Sequence, residues 1–473
     1  MAQIEFYDTR TRERRVFEPL EPGKVGIYTC GPTVYAEQHV GNLRSRLFSD
    51  LLKRFLQSEG FEVTHVINIT DVGHLVSDAD EGEDKMEAAA KKAGQTAEEI
   101  AAHYTELWRR DGAAVNCLPP EHNPKATEHI AEQIELGQRL EAGGYLYRIE
   151  DGIYFDTSRF DRYAELAGLD LEGQAEGARI GVTEGKRNPS DFAVWKFAEE
   201  GVQRLQEWDS PWGRGFPGWH LECSAMSVRY LGERFDIHTG GIDLSTVHHT
   251  NEVAQSECGF DVHPWVQFWM HNEFLALPGE EKMSKSKGNV KTLNDLIDRG
   301  IDPLAFRYFF LQAHYRQQQS FSDEAIQAAA KGFKRLQKVA AELEAVEGEG
   351  DPDVQAPYYE RFRDALADDL NAPRAMAVVW EVARSDALSE VDRRDLLRRF
   401  EPVLGLKLGE APAAAAEDEW ESDPRIDALL ADRTAARAAK DWGTADRIRD
   451  ELAAEGIEIV DSPEGPRWRR KDG

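Results

Sequence analysis

The chain has 473 residues, 41% of them hydrophobic, so it is long and apolar enough for three or more folding units. It carries 87 acidic against 57 basic residues, a net charge of −30, which excludes indiscriminate binding to nucleic acid and fits either a salt-rich cell or an ordinary cytosolic protein. It has no run of 18 apolar residues and no apolar stretch behind a basic N-terminus, which predicts no membrane span, no signal peptide and a cytoplasmic protein.

The first predicted elements are a strand, a helix and a second strand. Residues 25–28 and 63–69 are apolar runs, and apolar residues recur at helical spacing over 43–56 between them. This βαβ order predicts an α/β fold built on a parallel sheet. Cys30 then lies at the carboxyl end of a strand and His39 at a helix N-terminus, where ligands and phosphates bind in such sheets. Taken alone, this stretch fits incidental polar residues equally well.

The later elements are predicted from the same kinds of pattern. Residues 145–160 alternate as strands inside a segment that interrupts the sheet. The sheet resumes with a helix over 219–231 and a strand over 235–238, and residues 293–316 are predicted to be helical. The tail, residues 425–473, is predicted to hold two helices followed by a β-hairpin.

Five short motifs, distant from one another in the sequence, carry the functional information. They are Cys30 with His39-Val-Gly-Asn42, then Trp219-His-Leu-Glu-Cys223, Gly240-Gly-Ile-Asp243, His248-His-Thr-Asn-Glu252 and Lys282-Met-Ser-Lys-Ser286. Any one of them alone is a weak signal. Together they resemble the cysteinyl-tRNA synthetases, a family of class I aminoacyl-tRNA synthetases, and the resemblance runs from residue 20 to the C-terminus.

The resemblance implies a Rossmann-like parallel-sheet catalytic domain with an insertion, followed by an α-helical bundle and a small C-terminal anticodon-binding domain. The implied boundaries are 1–120 for the first half of the catalytic domain, 121–205 for the connective insertion, 206–270 for the second half, 271–328 for a stem-contact region with the Lys/Ser loop, 329–410 for the bundle and 422–473 for the anticodon-recognition domain. Residues 411–421, rich in Ala and acidic residues, are predicted to be a flexible linker.

Four residues are candidates for one zinc site. His248 and Glu252 are spaced i, i+4, so a helix would place them on one face. With the thiolates of Cys30 and Cys223 they make a donor set that suits tetrahedral zinc. Spacing does not separate His248 from His249, and the resemblance favours His248. It implies one zinc per chain that takes the thiol of L-cysteine and so rejects serine and alanine without an editing domain.

The resemblance also implies which residues handle ATP and the amino acid. Catalysis through the phosphates is assigned to His39, Lys282 and Lys285. ATP binding is assigned to His39, Gly41, Asn42, Gly240, Gly241 and Lys285, with the glycines leaving room for the nucleotide. Contacts to cysteine or its adenylate are assigned to Thr70, Trp219 and Asp243, with Trp219 as a plain core residue in the competing interpretation. Asn42 replaces a second histidine of the family pattern, so the role of that position stays open.

The expected reaction is activation of L-cysteine by ATP, which is expected to bind with Mg²⁺, followed by transfer of the cysteine to tRNA(Cys). The protein is expected to be a monomer that does not associate with a membrane. Two other functions are weighed. A cysteine ligase that acylates an amino-sugar amine would share the front of the chain and stop before a C-terminal RNA-binding part. A non-catalytic amino-acid sensor or RNA-binding relative would carry degraded motifs.

The tail predicts a contact with RNA. Residues 425–473 hold 10 Lys and Arg against 11 Asp and Glu, so this segment is nearly neutral in an otherwise acidic chain. Trp468, beside basic residues, is the expected partner for unpaired bases, and Trp442, on an amphipathic helix, is the expected core residue.

Overall fold

The computed structural model describes residues 3–73, 85–168, 185–198, 204–277, 281–282, 291–410, 423–438, 441–455, 457–462 and 465–470. These residues form two compact units, Met1–Gly409 and Glu410–Gly473, and each is described by itself. Among the helices in these ranges, none combines the length and the apolar composition that crossing a bilayer requires.

The first unit begins with strands and helices in alternation. In chain order its elements are β1 (Glu5–Asp8), β2 (Glu13–Val16), β3 (Lys24–Thr29), α1 (Val40–Ser58), β4 (Glu62–Ile67), α2 (Lys85–Ala93), α3 (Ala97–Ala114), α4 (Ile130–Ala142), β5 (Leu146–Ile149), β6 (Gly152–Phe155), β7 (Phe192–Phe197) and β8 (Gly215–Pro217). There follow α5 (Trp219–Leu231), β9 (Phe235–Gly241), α6 (His248–Phe260), β10 (Val266–Asn272), β11 (Leu275–Leu277), β12 (Glu281–Lys282), α7 (Leu293–Ile297), α8 (Pro303–Leu311), β13 (Gln319–Ser320), α9 (Asp323–Glu344), α10 (Pro352–Ala367), α11 (Ala372–Arg384) and α12 (Glu390–Leu404).

The centre of this unit is a four-stranded sheet in the order β10-β9-β3-β4, in which every neighbouring pair is parallel. Helix α1 crosses from β3 to β4, so the predicted βαβ unit and the α/β fold class are confirmed. Leu47, Phe48 and Leu51 of α1 are buried against the sheet. Each such side chain contributes about 1.5–3 kcal/mol when it leaves water. The carboxyl ends of all four strands therefore open at one edge of the sheet.

The segment between the two halves of the parallel sheet forms a sheet of its own. Strands β5, β6, β7 and β8 pair antiparallel in that order. Helix α4 ends at Gly143, as the glycine pair in the sequence predicts. The antiparallel sheet continues to Pro217, past residue 205.

The prediction of continuous helix over residues 293–316 is wrong. The helix breaks between α7 and α8, where Gly300 has a φ of +72°. Asp302 then caps α8, and Pro303 occupies its first turn. The segment after α8 leaves the helix for a turn in which the Gln317 N–H donates to the His314 carbonyl at 2.9 Å. A proline at the first helical position starts a new helix more readily than it continues an old one.

Helices α9 to α12 form the predicted helical bundle. Their facing apolar residues include Phe333, Leu336, Phe362, Leu366, Val379, Val382, Leu397 and Phe400, all buried. They belong to the same core cluster as the inner face of α1. The bundle is therefore packed into the first unit and shares a core with its α/β part.

The second unit is a small helix–hairpin structure, as the pattern predicts. It contains α13 (Pro424–Ala438), α14 (Trp442–Ala454) and an antiparallel hairpin of β14 (Ile457–Ser462) and β15 (Gly465–Arg470). The expectation that Trp468 faces RNA is wrong, because this side chain is 2% exposed and packs on Ile426 and Leu452 in the core of this unit. Its Nε1 donates to Asp427 Oδ1 at 2.9 Å. The predicted linker, 411–421, lies outside the described residues.

Candidate active site

The carboxyl edge of the parallel sheet gathers residues from four strands. Cys30 directly follows β3, and Thr70 follows β4. Gly240 and Gly241 end β9, and His271 lies next to Gly240 on β10. A main-chain hydrogen bond joins the segments that follow β3 and β4, because the Val34 N–H donates to the Thr70 carbonyl at 3.2 Å. This edge is where an open parallel sheet binds its ligands.

The four residues predicted to hold zinc converge at this edge. The donor atoms of Cys30, Cys223, His248 and Glu252 all lie within 4.8 Å of one another. Cys30 Sγ is 3.8 Å from Cys223 Sγ, and His248 Nε2 is 3.0 Å from Glu252 Oε1. Cys223 lies inside helix α5, as the predicted helix over 219–231 implies. Helix α6 places His248 and Glu252 on one face, as their i, i+4 spacing predicts.

The surroundings of these donors hold them in place. His248 Nδ1 lies 3.0 Å from His220 Nδ1, so Nε2 is the nitrogen that faces the cluster. Glu252 Oε2 lies 3.0 Å from His238 Nε2, which fixes the carboxylate from its far side. Cys223, His248 and Glu252 are at most 2% exposed. Buried thiols, an imidazole and a carboxylate within contact of one another match the chemistry of a zinc site with its supporting hydrogen bonds.

The side chains of the cluster shift one another's pKa values. Burial raises the pKa of Glu252, but His238 and His248 outweigh burial and bring it to about 2. For His248, burial lowers the pKa, and Glu252 with Cys223 raises it to about 10. The Cys223 pKa is lowered, first by the hydrogen bond from Cys30, and burial raises the pKa of Cys30. The Glu252 carboxylate is therefore ionised beside a protonated His248 ring, and the two form an ion pair within the cluster.

A second set of donors overlaps the first. Cys30, His238, His249 and Glu252 also lie within 4.8 Å of one another. His249 Nε2 is 3.3 Å from Cys30 Sγ and 4.0 Å from Glu252 Oε1, whereas His248 is closer to the carboxylate. Distance therefore favours His248 over His249 as the partner of Glu252 without excluding the second set.

A chain of hydrogen bonds that the sequence analysis missed runs outward from Cys30. His249 Nδ1 lies 2.7 Å from His271 Nε2, and His271 Nδ1 lies 2.8 Å from Thr9 Oγ1. Burial lowers the pKa of His271 to about 3, so this ring is neutral. The His248-His249 pair was a visible signal, but Thr9 and His271 are far from it in the sequence and reach it only through the fold.

The glycines of the site make room for protein side chains. A Cβ on Gly240 would lie 2.6 Å from His249 Cε1, and one on Gly241 would lie 2.6 Å from Asp243 Oδ1. A Cβ on Gly41 would lie 2.8 Å from His39 Nδ1. These glycines therefore allow close packing of His39, His249 and Asp243, and their role in ATP binding stays a prediction.

Of the residues expected to contact the amino acid, Trp219 lies beside the cluster. The Trp219 ring packs on the His248 ring with centroids 4.2 Å apart, and its side chain is only partly buried. This placement beside the donors favours the site over the plain core for Trp219. Thr70 is 2% exposed and its Oγ1 accepts from Asn68 Nδ2 at 3.0 Å. Asp243 lies in a short 3₁₀ turn after β9.

The helix α1 begins at the same edge. Its N-cap is His39, whose Nδ1 accepts from the Asn42 N–H at 3.3 Å, while Asn42 Oδ1 accepts from the His39 N–H at 3.3 Å. Asn42 thus completes a capping box, a role that its position in the sequence permits but that was not predicted. The N-terminus of a helix attracts phosphate through its dipole.

Helix α1 also contacts a segment that follows the Lys/Ser motif in the sequence. The Val40 N–H donates to the Lys291 carbonyl at 2.8 Å, and His39 forms a β-bridge with Thr292. Lys282 lies in β12, paired with Ala276 of β11. The rest of the predicted loop, including Lys285, lies outside the described residues.

Comparison with known proteins places these features in a family. A model described as tRNA synthetases class I (C) catalytic domain matches residues 16–331, a DALR domain matches 361–386, and a cysteinyl-tRNA ligase anticodon binding domain matches 421–469. The cysteine–tRNA ligase 1 of Burkholderia lata is 49% identical over 98% of this chain and 96% of its own length. The cysteine–tRNA ligase of Novosphingobium aromaticivorans is 43% identical over 99% of this chain and 97% of its own length.

Solved structures support the fold. The methionyl-tRNA synthetase of Mycobacterium tuberculosis bound by methionyl-adenylate superposes with a TM-score of 0.58 at 16% identity, covering 83% of this chain and 95% of that one. The LeuRS–tRNA–LeuAMS ternary complex from Agrobacterium radiobacter gives 0.60 at 12% identity, covering 83% and 85%. The parallel sheet and the matched catalytic domain define a class I aminoacyl-tRNA synthetase. Within that class, the chain belongs to the cysteine–tRNA ligase family.

Proposed function

We propose that this chain activates L-cysteine with ATP and transfers it to tRNA(Cys), and that one zinc ion recognises the thiol of the substrate. The observation that carries the proposal is the convergence of Cys30, Cys223, His248 and Glu252 at the carboxyl edge of the sheet. These donors lie beside Trp219, at the edge where helix α1 also begins. The amino acid and the phosphates would thus meet at one place.

The donor set explains how cysteine would be chosen. A zinc ion held by these four side chains would favour the thiolate form of a bound cysteine side chain. Serine offers a harder and far less acidic hydroxyl, and alanine offers no ligand, so both lack that bond. A pocket that separated the same molecules by a methylene-sized difference alone would gain only about 1–3 kcal/mol. Trp219 would close one side of the pocket over the amino acid.

The start of α1 and the Lys/Ser loop would serve the other half of the reaction. In activation, the cysteine carboxylate attacks the α-phosphate of ATP and pyrophosphate leaves, so negative charge must be stabilised on phosphate oxygens. The α1 N-terminus, capped by His39, would stabilise these oxygens. Lys282 and Lys285 are assigned the same work as mobile cations, and Mg²⁺ is expected to accompany ATP.

The substrate that accepts the cysteine is assigned from the tail. Residues 421–469 match a cysteinyl-tRNA ligase anticodon binding domain, which supports tRNA over an amino-sugar amine as the acceptor. The motif Lys282–Ser286 and the four candidate zinc ligands are all present in the sequence, which argues against a non-catalytic sensor. We infer a monomer that works in the cytoplasm with cysteine, ATP and tRNA(Cys) as its partners.

Zinc content and cysteine activation, measured together, test this proposal. Elemental analysis of the wild type should give one zinc per chain, and pyrophosphate exchange should depend on cysteine. Cys223→Ser should lower both zinc content and exchange. The matched control is Cys258→Ser, which changes a half-buried cysteine at the far end of the same helix as His248 and should change neither.

Each part of the proposal can fail separately. Full cysteine-dependent exchange in a wild type without zinc would refute the metal assignment and leave the reaction standing. Zinc without cysteine-dependent exchange would refute the reaction. Exchange followed by acylation of an amine but of no tRNA would refute the acceptor. For the loop, Lys285→Ala should lower kcat of exchange and leave cysteine affinity unchanged.

A further inference from the structure

A buried arginine on helix α1 has no role in the reaction described so far. Arg44 follows His39 by little more than one helical turn and is 0% exposed. Among the described residues, the acceptors of its guanidinium are three main-chain carbonyls. Nη1 donates to Phe274, and Nη2 donates to Gln317 at 2.6 Å and to His314 at 3.4 Å. Within the part of the chain that the structure describes, Arg44 forms no ion pair and its Nε has no hydrogen-bond partner.

Such a side chain is expensive for the fold. Removing a cation from water costs several kcal/mol, and hydrogen bonds to neutral carbonyls recover only part of that. Burial lowers the pKa of Arg44 to about 10, while Glu273 opposes the shift, so the group stays charged at neutral pH. An apolar side chain of similar length would pack there at lower cost. The guanidinium therefore calls for an explanation other than stability.

The three carbonyls lie in the segments that lead into one small sheet. Phe274 immediately precedes β11, and Gln317 lies just before β13. Strand β11 is the middle of the order β12-β11-β13, and it pairs with both neighbours. Strand β12 contains Lys282, the first residue of the Lys/Ser loop. Arg44 thus holds the segments that lead into two strands of the sheet that contains Lys282.

Other contacts of α1 reach the same region. The Phe48 ring stacks on the Tyr315 ring with centroids 4.4 Å apart. The Tyr315 carbonyl accepts from the Glu273 N–H at 2.8 Å, which joins the turn after α8 to the start of β11. The Val40 N–H of α1 also donates to the Lys291 carbonyl at 2.8 Å. Lys291 and the segments that lead into β11 and β13 are therefore all bonded to the helix that His39 caps.

We propose that Arg44 is a positioning residue for formation of the adenylate: it fixes the small sheet that contains Lys282 against the helix that carries His39. The proposal rests on the function proposed above, in which His39 and the loop lysines act on the same phosphates. One planar guanidinium reaches three carbonyls in the segments that lead into two strands of this sheet, a task that the single nitrogen of lysine cannot perform. A displacement of about 1 Å in such an arrangement can cost about 100-fold in rate.

The test separates activation from the other steps. Arg44→Met should lower kcat of cysteine-dependent pyrophosphate exchange by about 100-fold. The KM for cysteine, the zinc content and the single-turnover rate of transfer from preformed, purified adenylate complex to tRNA should match the wild type. In Arg44→Ala, added guanidinium ion at millimolar concentration should restore part of the exchange rate, and sodium chloride at the same ionic strength should not.

The matched control is Arg54→Met, which removes another buried guanidinium from the same helix. Arg54 contacts Asp50, Asn116 and Pro402 and none of the strands that carry the loop. The Arg54→Met variant should have a lower melting temperature than the wild type. Its kcat of exchange, assayed well below that temperature, should match the wild type. If Arg44→Met does not fold, Arg44→Lys is measured in its place, with a fall in kcat at an unchanged melting temperature as the supporting result.

Three outcomes would overturn the proposal. They are a folded Arg44 variant with wild-type kcat, an equal fall of exchange and transfer, and a loss of zinc or cysteine affinity that accounts for the fall in rate. The failure of the proposed function is a different result, because the wild type itself would then show no cysteine-dependent exchange.

Discussion

Asp50 Oδ2 lies 2.6 Å from Arg307 Nη2, and the two side chains are 3% and 1% exposed. Asp50 also contacts Arg54 Nε at 2.8 Å and accepts from the Leu118 N–H at 2.7 Å. Arg307 donates further to the Leu404 carbonyl at 2.6 Å. Since Asp50 lies on α1, Arg307 on α8 and Leu404 at the end of α12, this ion pair joins the helix of the active site to the helical bundle.

Removal of the Asp50 charge should destabilise the first unit strongly. Asp50→Asn leaves two buried guanidinium groups without their carboxylate, and breaking a buried pair in this way costs about 3–5 kcal/mol. Urea unfolding followed by circular dichroism measures the loss in the free energy of unfolding. The control is Glu381→Gln, which breaks the half-exposed pair with Arg361 and should change that free energy by about 1 kcal/mol or less. Equal effects of the two variants would contradict the prediction.

The same ion pair should make stability depend on pH below the neutral range. Burial raises the pKa of Asp50, but Arg307, Arg54 and the Leu118 N–H outweigh burial and hold that pKa below its usual range. The folded pKa is thus below the unfolded one, near 3.9. The stabilisation is therefore complete above the unfolded pKa and is lost as pH falls through the folded pKa.

Comparison with Asp50→Asn isolates this effect from the other carboxylates. The difference in free energy of unfolding between wild type and Asp50→Asn should be largest at neutral pH and should shrink as pH falls below about 4. Urea unfolding at a series of pH values gives the curve. A difference that stays constant down to the acid transition would show that the charge of Asp50 does not carry the stabilisation.

Local patterns predicted the elements of the site well, and contacts between distant segments escaped them. The β3–α1–β4 unit, the α5 helix and the shared face of His248 and Glu252 follow from periodicity and spacing, which act over a few residues. The hydrogen bonds that link His249 through His271 to Thr9 depend on the placement of segments far apart in the sequence, which no local pattern reports.

Two further features escaped the sequence analysis for physical reasons. The carbonyls that receive Arg44 carry no sequence signal, because any residue type provides one. Trp468 stands among basic residues in the sequence, but a strand alternates its side chains between two faces, so the tryptophan can be buried while its neighbours are not on its face. The composition of a segment thus does not decide which face is covered.

His238 should set the strength of zinc binding without being one of the four predicted ligands. Its Nε2 lies 3.0 Å from Glu252 Oε2, and its ring is stacked on Trp269 with centroids 4.4 Å apart. Loss of a hydrogen-bond partner behind a metal ligand typically weakens metal affinity by about 10–100-fold. His238→Asn should therefore lose zinc to a competing chelator at a lower chelator concentration than the wild type does.

The control for this measurement is His103→Asn, which changes an exposed histidine on α3 and should leave the chelator curve unchanged. An unchanged curve for His238→Asn in a folded protein would show that Glu252 does not need this partner. If zinc binding were abolished outright, the second donor set, in which His238 is itself a ligand, would be favoured.

Trp468 should affect tRNA binding by stabilising the fold of the tail, and not by stacking on a base of the RNA. Its side chain is buried, and its Nε1 bonds Asp427 across the second unit, so Trp468→Ala should unfold that unit, since truncating a buried tryptophan costs about 3–5 kcal/mol. Charging should then show a raised KM for tRNA, with cysteine-dependent pyrophosphate exchange unchanged.

Trp468→Phe keeps an aromatic face but cannot donate to Asp427, and Asp427→Asn keeps the tryptophan and retains an acceptor for its N–H. Because the contact is internal, the order of melting temperatures for the isolated residues 421–473 should be wild type, Asp427→Asn, Trp468→Phe and Trp468→Ala, and KM for tRNA should rise in the same order. A Trp468→Ala tail that melts like the wild type while KM rises would instead place this ring against the RNA.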